Sequence, residues 1–380
     1  MAAHALFICI SEETDMHKAA EGGVQITYPE GVFCNPEMEL CRDVSSLAVG
    51  AIGGKLSVLD AFCASGIRGL RYAKENRNVK SLHLSDWSLR AVGVARKNAR
   101  ANKVKCAVSK GEACEILRKG KGEFEFVELD PFGSPAPFLH DAAFCLEGKD
   151  ESWLSITATD MAVLCGAAHA ACLKNYGAMP LDNEFCHENA VRILAGKAIT
   201  TFSPFNLAAV PIYTLSHRHY VKVIFSVVKG ADAAVDAVKK MGFISYCPGC
   251  CWREAKRIPK KENCPHCNHQ LLFAGPLYLG ELWNGELLEK MLALNGKRKY
   301  AKAAQIEKLL KTQLAESKID AYGYYDLHVL AKKGKGKIIG MDAALERLRK
   351  GEFAAERTHF CPTAIRADAP HGKIVKLAEK

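Results

Sequence analysis

The sequence predicts an α/β protein. Its main part reads as a Rossmann-like doubly wound sheet, followed by a small cysteine ribbon and a basic α+β C-terminal part. Three observations predict this. Between residues 56 and 160, short apolar runs alternate with helical stretches, the pattern of parallel strands joined by crossover helices. Cys247-Pro248-Gly249-Cys250 and Cys264-Pro265-His266-Cys267 are two C-x-x-C knuckles separated by thirteen residues. Residues 297–380 hold 19 Lys and Arg against 10 Asp and Glu, whereas residues 1–296 hold 33 against 32.

The elements follow in order. Residues 1–36 read as an irregular extension. Glu37 to Val49 reads as a helix, with Met38, Leu40, Cys41, Val44, Leu47 and Ala48 on its apolar face. Strands are expected at Leu56–Phe62, Ser81–Ser85, Cys106–Val108, Phe124–Leu129 and Trp153–Ala158. Helices are expected at Gly66–Glu75, Ser88–Ala101, Glu112–Leu117 and Pro135–Leu146. Strands apolar on both faces fit burial between two helix layers. Residues 161–219 read as helices and loops. Tyr220–Val228 reads as a late antiparallel strand, followed by a helix at Asp232–Met241. A helix at Arg298–Ala315, a basic surface loop at Lys332–Lys337 and the extended stretch Glu352–Pro370 suggest a winged-helix-like C-terminal module. The divisions drawn are 1–50, 51–245, 246–274 and 275–380.

At 380 residues, 49% hydrophobic and 25% charged, the chain is long and apolar enough for a full core and is not disordered. No apolar run approaches the ~20 residues of a membrane span. The N-terminus lacks a basic n-region, so no signal peptide and a cytoplasmic location are expected. Of the sixteen cysteines, twelve are scattered. Several of these (Cys63, Cys106, Cys145, Cys165, Cys172) fall in apolar runs, as buried small hydrophobes do. The other four, Cys247, Cys250, Cys264 and Cys267, have the spacing of a closed tetrahedral zinc site, with Cys251 a bystander. Arg253, Lys256, Arg257, Lys260 and Lys261 between the knuckles suit either phosphate contact or a solvated loop. The excess charge of the tail favours a polyanionic partner.

Four strand ends carry acids. The first ends at Asp60 and runs into the small-residue turn Cys63-Ala64-Ser65-Gly66. There is no G-x-G-x-x-G, which speaks against a pyrophosphate cradle. The second ends at Asp86, placed for a ribose diol. The third leads to Glu112-Ala113, where an acid or a backbone amide meets an adenine edge. The fourth ends in Asp130-Pro131-Phe132-Gly133-Ser134-Pro135. A single acid after a strand is most often a turn or cap residue; this succession favours a nucleoside-bearing methyl donor, S-adenosylmethionine. The Asp130 carboxylate and the Pro131 carbonyl can accept from an amino group while Phe132 stacks on a flat ring, which suits the exocyclic amine of a base.

Taken together, these motifs resemble the tRNA (guanine-26) N2,N2-dimethyltransferase family in its archaeal, zinc-bearing form. The resemblance rests on Val32-Phe33-Cys34-Asn35-Pro36 with Met38 and Arg42-Asp43, Ala64-Ser65-Gly66-Ile67-Arg68 with Arg71, and Ser85-Asp86. It rests further on Asp130-Pro131-Phe132-Gly133-Ser134-Pro135, Thr157-Ala158-Thr159-Asp160, Ser216-His217-Arg218-His219-Tyr220, Gly275-Pro276-Leu277 and Pro362-Thr363-Ala364, nearly the whole chain. It implies transfer of two methyl groups from S-adenosylmethionine to N2 of guanosine 26 in tRNA. It also implies donor binding by Arg42, Arg68, Asp86, Glu112 and Ala113, catalysis by Asp130, and Phe132 and Phe33 near the target base. The four ribbon cysteines fall on the family's zinc ligands. Many amino-methyltransferases have a second proline before the aromatic, whereas here Phe132 follows Pro131 directly. No obligate protein partner is evident. The alternatives are another RNA, DNA or protein amino-methyltransferase, an inactive methyltransferase fold that binds RNA, and a nicotinamide dehydrogenase.

Overall fold

The computed structural model describes residues 16–377; the N-terminal segment read for a targeting signal lies outside the described residues. The chain opens with a hairpin, β1 (Met16–Glu21) and β2 (Val24–Pro29), antiparallel across the two-residue turn Gly22-Gly23. This corrects the irregular extension expected there. A Gly-Gly pair between alternating segments is a hairpin signal. After a short 3₁₀ turn at Pro36–Met38 comes α1 (Glu39–Ala51).

The predicted alternation is present as β3 (Leu56–Asp60), α2 (Ile67–Glu75), β4 (Val79–Asp86), α3 (Leu89–Ala101), β5 (Ala107–Lys110), α4 (Ala113–Lys119), β6 (Phe126–Leu129), α5 (Leu139–Leu146) and β7 (Glu151–Ala158). Then follow α6 (Met161–Leu164), α7 (His169–Tyr176), α8 (Cys186–Phe202), β8 (Leu207–His217), β9 (Tyr220–Lys229) and α9 (Ala231–Lys239). The seven-stranded sheet has the order β5-β4-β3-β6-β7-β9-β8. Its first five strands are parallel, and β9 lies antiparallel between β7 and β8. The 11-residue β8 corrects the expectation of helices and loops over 161–219. Pro211 interrupts its pattern, but β8 is an edge strand, where a missing N–H costs no ladder bond.

The helices α1, α2 and α3 pack on one another, and α4, α5 and α8 form a second contiguous layer. The strands between them are buried on both faces. The chain leaves β3 toward β4 and β5 on one side and returns through β6 and β7 on the other. The switch point therefore lies between the C-terminal ends of β3 and β6, where open α/β sheets bind ligands. Asp60 ends the one and Asp130 follows the other.

Beyond the sheet, β10 (Met241–Tyr246), β11 (Arg253–Lys256) and β12 (Leu272–Tyr278) form a three-stranded antiparallel sheet that carries the cysteine knuckles. The C-terminal part contains α10 (Gly285–Asn295), α11 (Ala303–Glu316), β13 (Tyr325–Asp326), α12 (Leu327–Gly334), α13 (Met341–Lys350), β14 (Ala355–Arg357), β15 (Ala364–Ala367) and α14 (His371–Val375). The run α11-β13-α12-α13-β14-β15, with β15 central in its small sheet, has the element order of a winged helix. Lys332 and Lys333 belong to the last turn of α12, and the basic loop begins only after Gly334. Among the described residues no helix is long and apolar enough to cross a membrane.

Candidate active site

The loops at the ends of β3 to β6 are tied together through their backbones. Cys63 N–H donates to the Ser85 carbonyl at 2.9 Å, Ala61 N–H to that of Glu128 at 3.2 Å, and Gly111 N–H to that of Asp86 at 3.1 Å. Gly66 caps α2 with φ +83°, and a Cβ there would lie 3.3 Å from Ala95 and Leu84, so the tight entry to α2 requires glycine. Asp86 accepts from Ala64 N–H and from Ser88 N–H, both at 2.9 Å. It therefore fixes the donor loop while facing the turn that leads to Glu112. The Glu112 side chain is exposed. The Ala113 N–H stands in the first turn of α4, where no intrahelical acceptor exists. An acid suited to a diol and a free amide one loop away fit an adenosine-bearing donor without phosphates.

Two expected donor residues take other positions. Asp60 is buried and accepts from Phe62 N–H at 3.4 Å and Gly69 N–H at 3.2 Å, so it shapes the loop from beneath. Burial, reinforced by Glu128, pushes its carboxyl up to about 7 against the opposing pull of Arg68. Arg42 is buried in a bidentate pair with Glu21 of the hairpin, at 2.6 and 2.5 Å. It also donates to the Asn35 carbonyl at 2.9 Å. From there its charge still acts on Asp130.

At the acceptor side, Arg68 Nη2 of α2 donates to Asp130 Oδ2 and closes an ion pair. Burial alone would raise the Asp130 carboxyl, but the Arg68 guanidinium, backed by Lys222, holds it below the usual carboxylate range. Two residues after Asp130, Phe132 meets Phe33 edge to face, with ring centroids 4.9 Å apart and planes at 88°. They are 78% and 50% exposed, which is unusual for apolar rings in contact and leaves a ring edge and a face open to a flat ligand. The loop is braced from β7: Gly133 N–H donates to Thr159 Oγ1 at 2.8 Å, and Thr159 N–H to the Gly133 carbonyl at 2.9 Å. Ser134 Oγ meets the Tyr176 hydroxyl at 2.8 Å, and that hydroxyl reaches Asp160 at 2.7 Å.

The sequence reading missed the layer behind the site. Glu128 is fully buried, held by Lys222 Nζ at 2.7 Å and the Tyr72 hydroxyl at 2.7 Å, and Lys222 also donates to Thr157 Oγ1 at 3.2 Å. A lysine inside the strong strand Tyr220–Lys229 was the available signal, because a charge at a two-face-buried position needs a partner. Arg71 is equally buried and joins Asp43 at 2.6 Å with Glu75 at 2.8 Å.

The family described as N2,N2-dimethylguanosine tRNA methyltransferase matches residues 12–379. The chain belongs to this family. It is 34% identical to a tRNA (guanine(26)-N(2))-dimethyltransferase of Methanobrevibacter smithii, over 96% of this chain and 98% of that one. It is 32% identical to a tRNA (guanine(26)-N(2)/guanine(27)-N(2))-dimethyltransferase of Aquifex aeolicus, over 96% of each. The structure superposes on Trm1 of Pyrococcus horikoshii in complex with S-adenosyl-L-methionine with a TM-score of 0.88 and 29% identity, over 96% of this chain and all of that one.

In this member of the N2,N2-dimethylguanosine tRNA methyltransferase family, all four knuckle thiols lie within 4.8 Å of one another. Cys247 and Cys267 are 3.2 Å apart, and Cys250 and Cys264 are 3.6 Å apart. Tetrahedral zinc, with Zn–S near ~2.3 Å, sets its sulfurs roughly 3.8 Å apart, so the residues fit the ion. Each knuckle closes through a residue in the left-handed region directly after its second cysteine, Cys251 at φ 64° and Asn268 at φ 60°. Cys251 itself turns away, toward the Tyr246 hydroxyl. Arg253 is not a phosphate contact. It is sandwiched between Phe185 and Tyr325 and bonded to Glu184 and the Tyr324 carbonyl, both at 2.6 Å. Lys256 pairs with Glu262 and Glu254.

Proposed function

We propose that the chain transfers two methyl groups from two molecules of S-adenosylmethionine to N2 of guanosine 26 in tRNA, giving N2,N2-dimethylguanosine. One observation carries this reading: the Arg68–Asp130 pair stands at the sheet's switch point, with Asp130 in the same loop as the exposed Phe132, which meets the exposed Phe33. Arg68 belongs to the donor helix and Asp130 to the acceptor loop, so both substrates meet at one ion pair.

The guanine N2 lone pair is delocalised into its ring and is a weak nucleophile. The Asp130 carboxylate and the Pro131 carbonyl hold the two N–H groups and draw the nitrogen toward tetrahedral geometry, so that its lone pair faces the sulfonium methyl. Orientation of this kind is worth about 7–11 kcal/mol of barrier. Phe33 and Phe132 take up the flipped base, offsetting a few kcal/mol of lost stacking. Arg68, Asp86, Glu112 and Ala113 hold the donor, with Asp60 beneath them and Arg42, paired to Glu21, acting only through its charge. Zinc on Cys247, Cys250, Cys264 and Cys267 supplies folding energy to the ribbon and no chemistry, because four thiolates leave no open position. The basic residues of 275–380 grip the tRNA backbone, and the reaction has a cytoplasmic setting.

Incubation of a tRNA transcript with labelled donor, followed by nucleoside digestion and mapping, tests this. The expected product is N2,N2-dimethylguanosine at position 26. Label in another nucleoside, or label that a G26→A transcript still accepts, overturns it.

A further inference from the structure

Outside the ribbon, one other group of metal-ligating atoms converges among the described residues. The thiols of Cys165 and Cys186 and a ring nitrogen of His187 all lie within 4.8 Å of one another. Cys165 follows α6 directly, and Cys186 and His187 form the first turn of α8. The backbone enforces the meeting. Gly166 has φ +103°, and a Cβ there would lie 2.5 Å from Asp182 N and 2.8 Å from the Leu181 carbonyl carbon. Only glycine lets the two loops cross so closely, and this crossing sets Cys165 against the start of α8. All three donors are half-buried, shielded yet reachable by an ion. None belongs to the Arg68–Asp130 site or to the ribbon.

We propose that Cys165, Cys186 and His187 form a second metal site, for zinc or an ion of its class. Two thiolates and an imidazole are a borderline-soft set that favours tetrahedral zinc over magnesium or calcium. Zn–S of ~2.3 Å and Zn–N of ~2.05 Å require donor separations of roughly 3.5–3.8 Å, and the three donors lie no more than 4.8 Å apart before any ion draws them in. The His187 ring also faces the backbone carbonyl of Phe360. A backbone carbonyl beside the ring is the usual outer partner of a metal-bound histidine. The fourth position falls to water or to the exposed Asp182, whose backbone meets Gly166 at this crossing. The ion would pin the loop after α6, the start of α8 and the Phe360 turn of the C-terminal part to one point.

The test is metal content of the full-length protein, purified under reducing conditions and passed over chelating resin. Two zinc ions per chain are expected, both released to an indicator dye by an organomercurial. Cys165→Ser and His187→Gln should each retain one, and Cys247→Ser should retain the other. A single zinc that Cys165→Ser removes and Cys247→Ser leaves would uphold this site and sink the ribbon assignment. Fewer than two zinc ions in the unmutated chain, with His187→Gln unchanged from it, overturns the proposal without relying on a variant that might misfold. So does a Cys165–Cys186 disulfide found in unreduced peptides by mass spectrometry.

Discussion

Asp130→Asn keeps the size of the side chain and one acceptor oxygen but removes the charge. Two losses follow, and they separate by assay. The first is catalytic. The carboxylate's hydrogen bond to a guanine N–H is charge-assisted, worth about 1.5–3 kcal/mol. At 1.36 kcal/mol per factor of ten, the methyl-transfer step slows roughly 10- to 150-fold. The second is structural. Arg68 loses its ion-pair partner and keeps only Ser45 Oγ at 3.4 Å and weak contacts to Cys41. Breaking a fully buried pair costs about 3–5 kcal/mol. The Asp130 side chain is 20% exposed, so water offsets part of this and a loss of roughly 1–3 kcal/mol is expected. Single-turnover transfer from labelled donor to tRNA reads the first, and a urea midpoint reads the second. The expected pattern is a slowed step with tRNA binding within a few-fold of wild type. A single-turnover rate within twofold of wild type would refute the role given to Asp130.

Phe33→Ala and Phe132→Ala each remove a stacking surface worth about 1–3 kcal/mol per base. Each should lower kcat/KM for tRNA about 5- to 150-fold at unchanged thermal stability, and because the rings touch, the double variant should lose less than the product. Lys222→Met strands the buried Glu128 charge and should cost about 3–5 kcal/mol in urea unfolding, with much of it recovered in Lys222→Met/Glu128→Gln; an additive double variant would contradict the pairing. The Asp60 carboxyl sits at about 7 in the fold against an ordinary 3.8. The unfolded chain thus loses this proton first, and stability falls as pH rises through that window by on the order of a few kcal/mol. Asp60→Asn should flatten the decline, and an unchanged slope would count against it. Because Asp130 is held below the usual carboxylate range, the single-turnover rate should show no acidic limb from it between pH 5 and 8; a limb there that Asp130→Asn abolishes would show that the proton on Asp130 matters.

Much of the fold was legible because it rests on local pattern. Apolar runs located β3, β4, β6 and β7, with acids marking the ends of the first three, and the cysteine spacing located the ribbon. What was not legible depends on partners distant in sequence. Pro211 hid β8, since only its position at the sheet edge makes a proline harmless there. Arg42 looked like a ligand contact, and its pairing with Glu21 needs the hairpin, packed on α2 and α3, to bring Glu21 to α1. Arg253 looked like a surface cation, and its aromatic sandwich needs Phe185 and Tyr325 from both sides. Cys165 read as a buried hydrophobe, and its neighbours Cys186 and His187 lie two helices further on.

The Arg68–Asp130 pair also bears on how a proton leaves the amine. A general base works best with a pKa near the working pH. Asp130 lies far below that, and protonating it would leave Arg68 uncompensated. The amine, for its part, gains strong acidity only once it carries the new methyl and a positive charge. In the proposed mechanism, proton loss therefore belongs after transfer, when water suffices, and the carboxylate acts by aiming the lone pair. The same charge orders the second round. With one N–H left, an ionised acceptor holds it more tightly than a carbonyl does, so the N–H stays on Asp130 and the first methyl falls on the Pro131 side. A site built around a neutral base would have no such preference. In the proposed mechanism the ionised Asp130 thus serves both to aim the amine and to leave room for a methyl already in place.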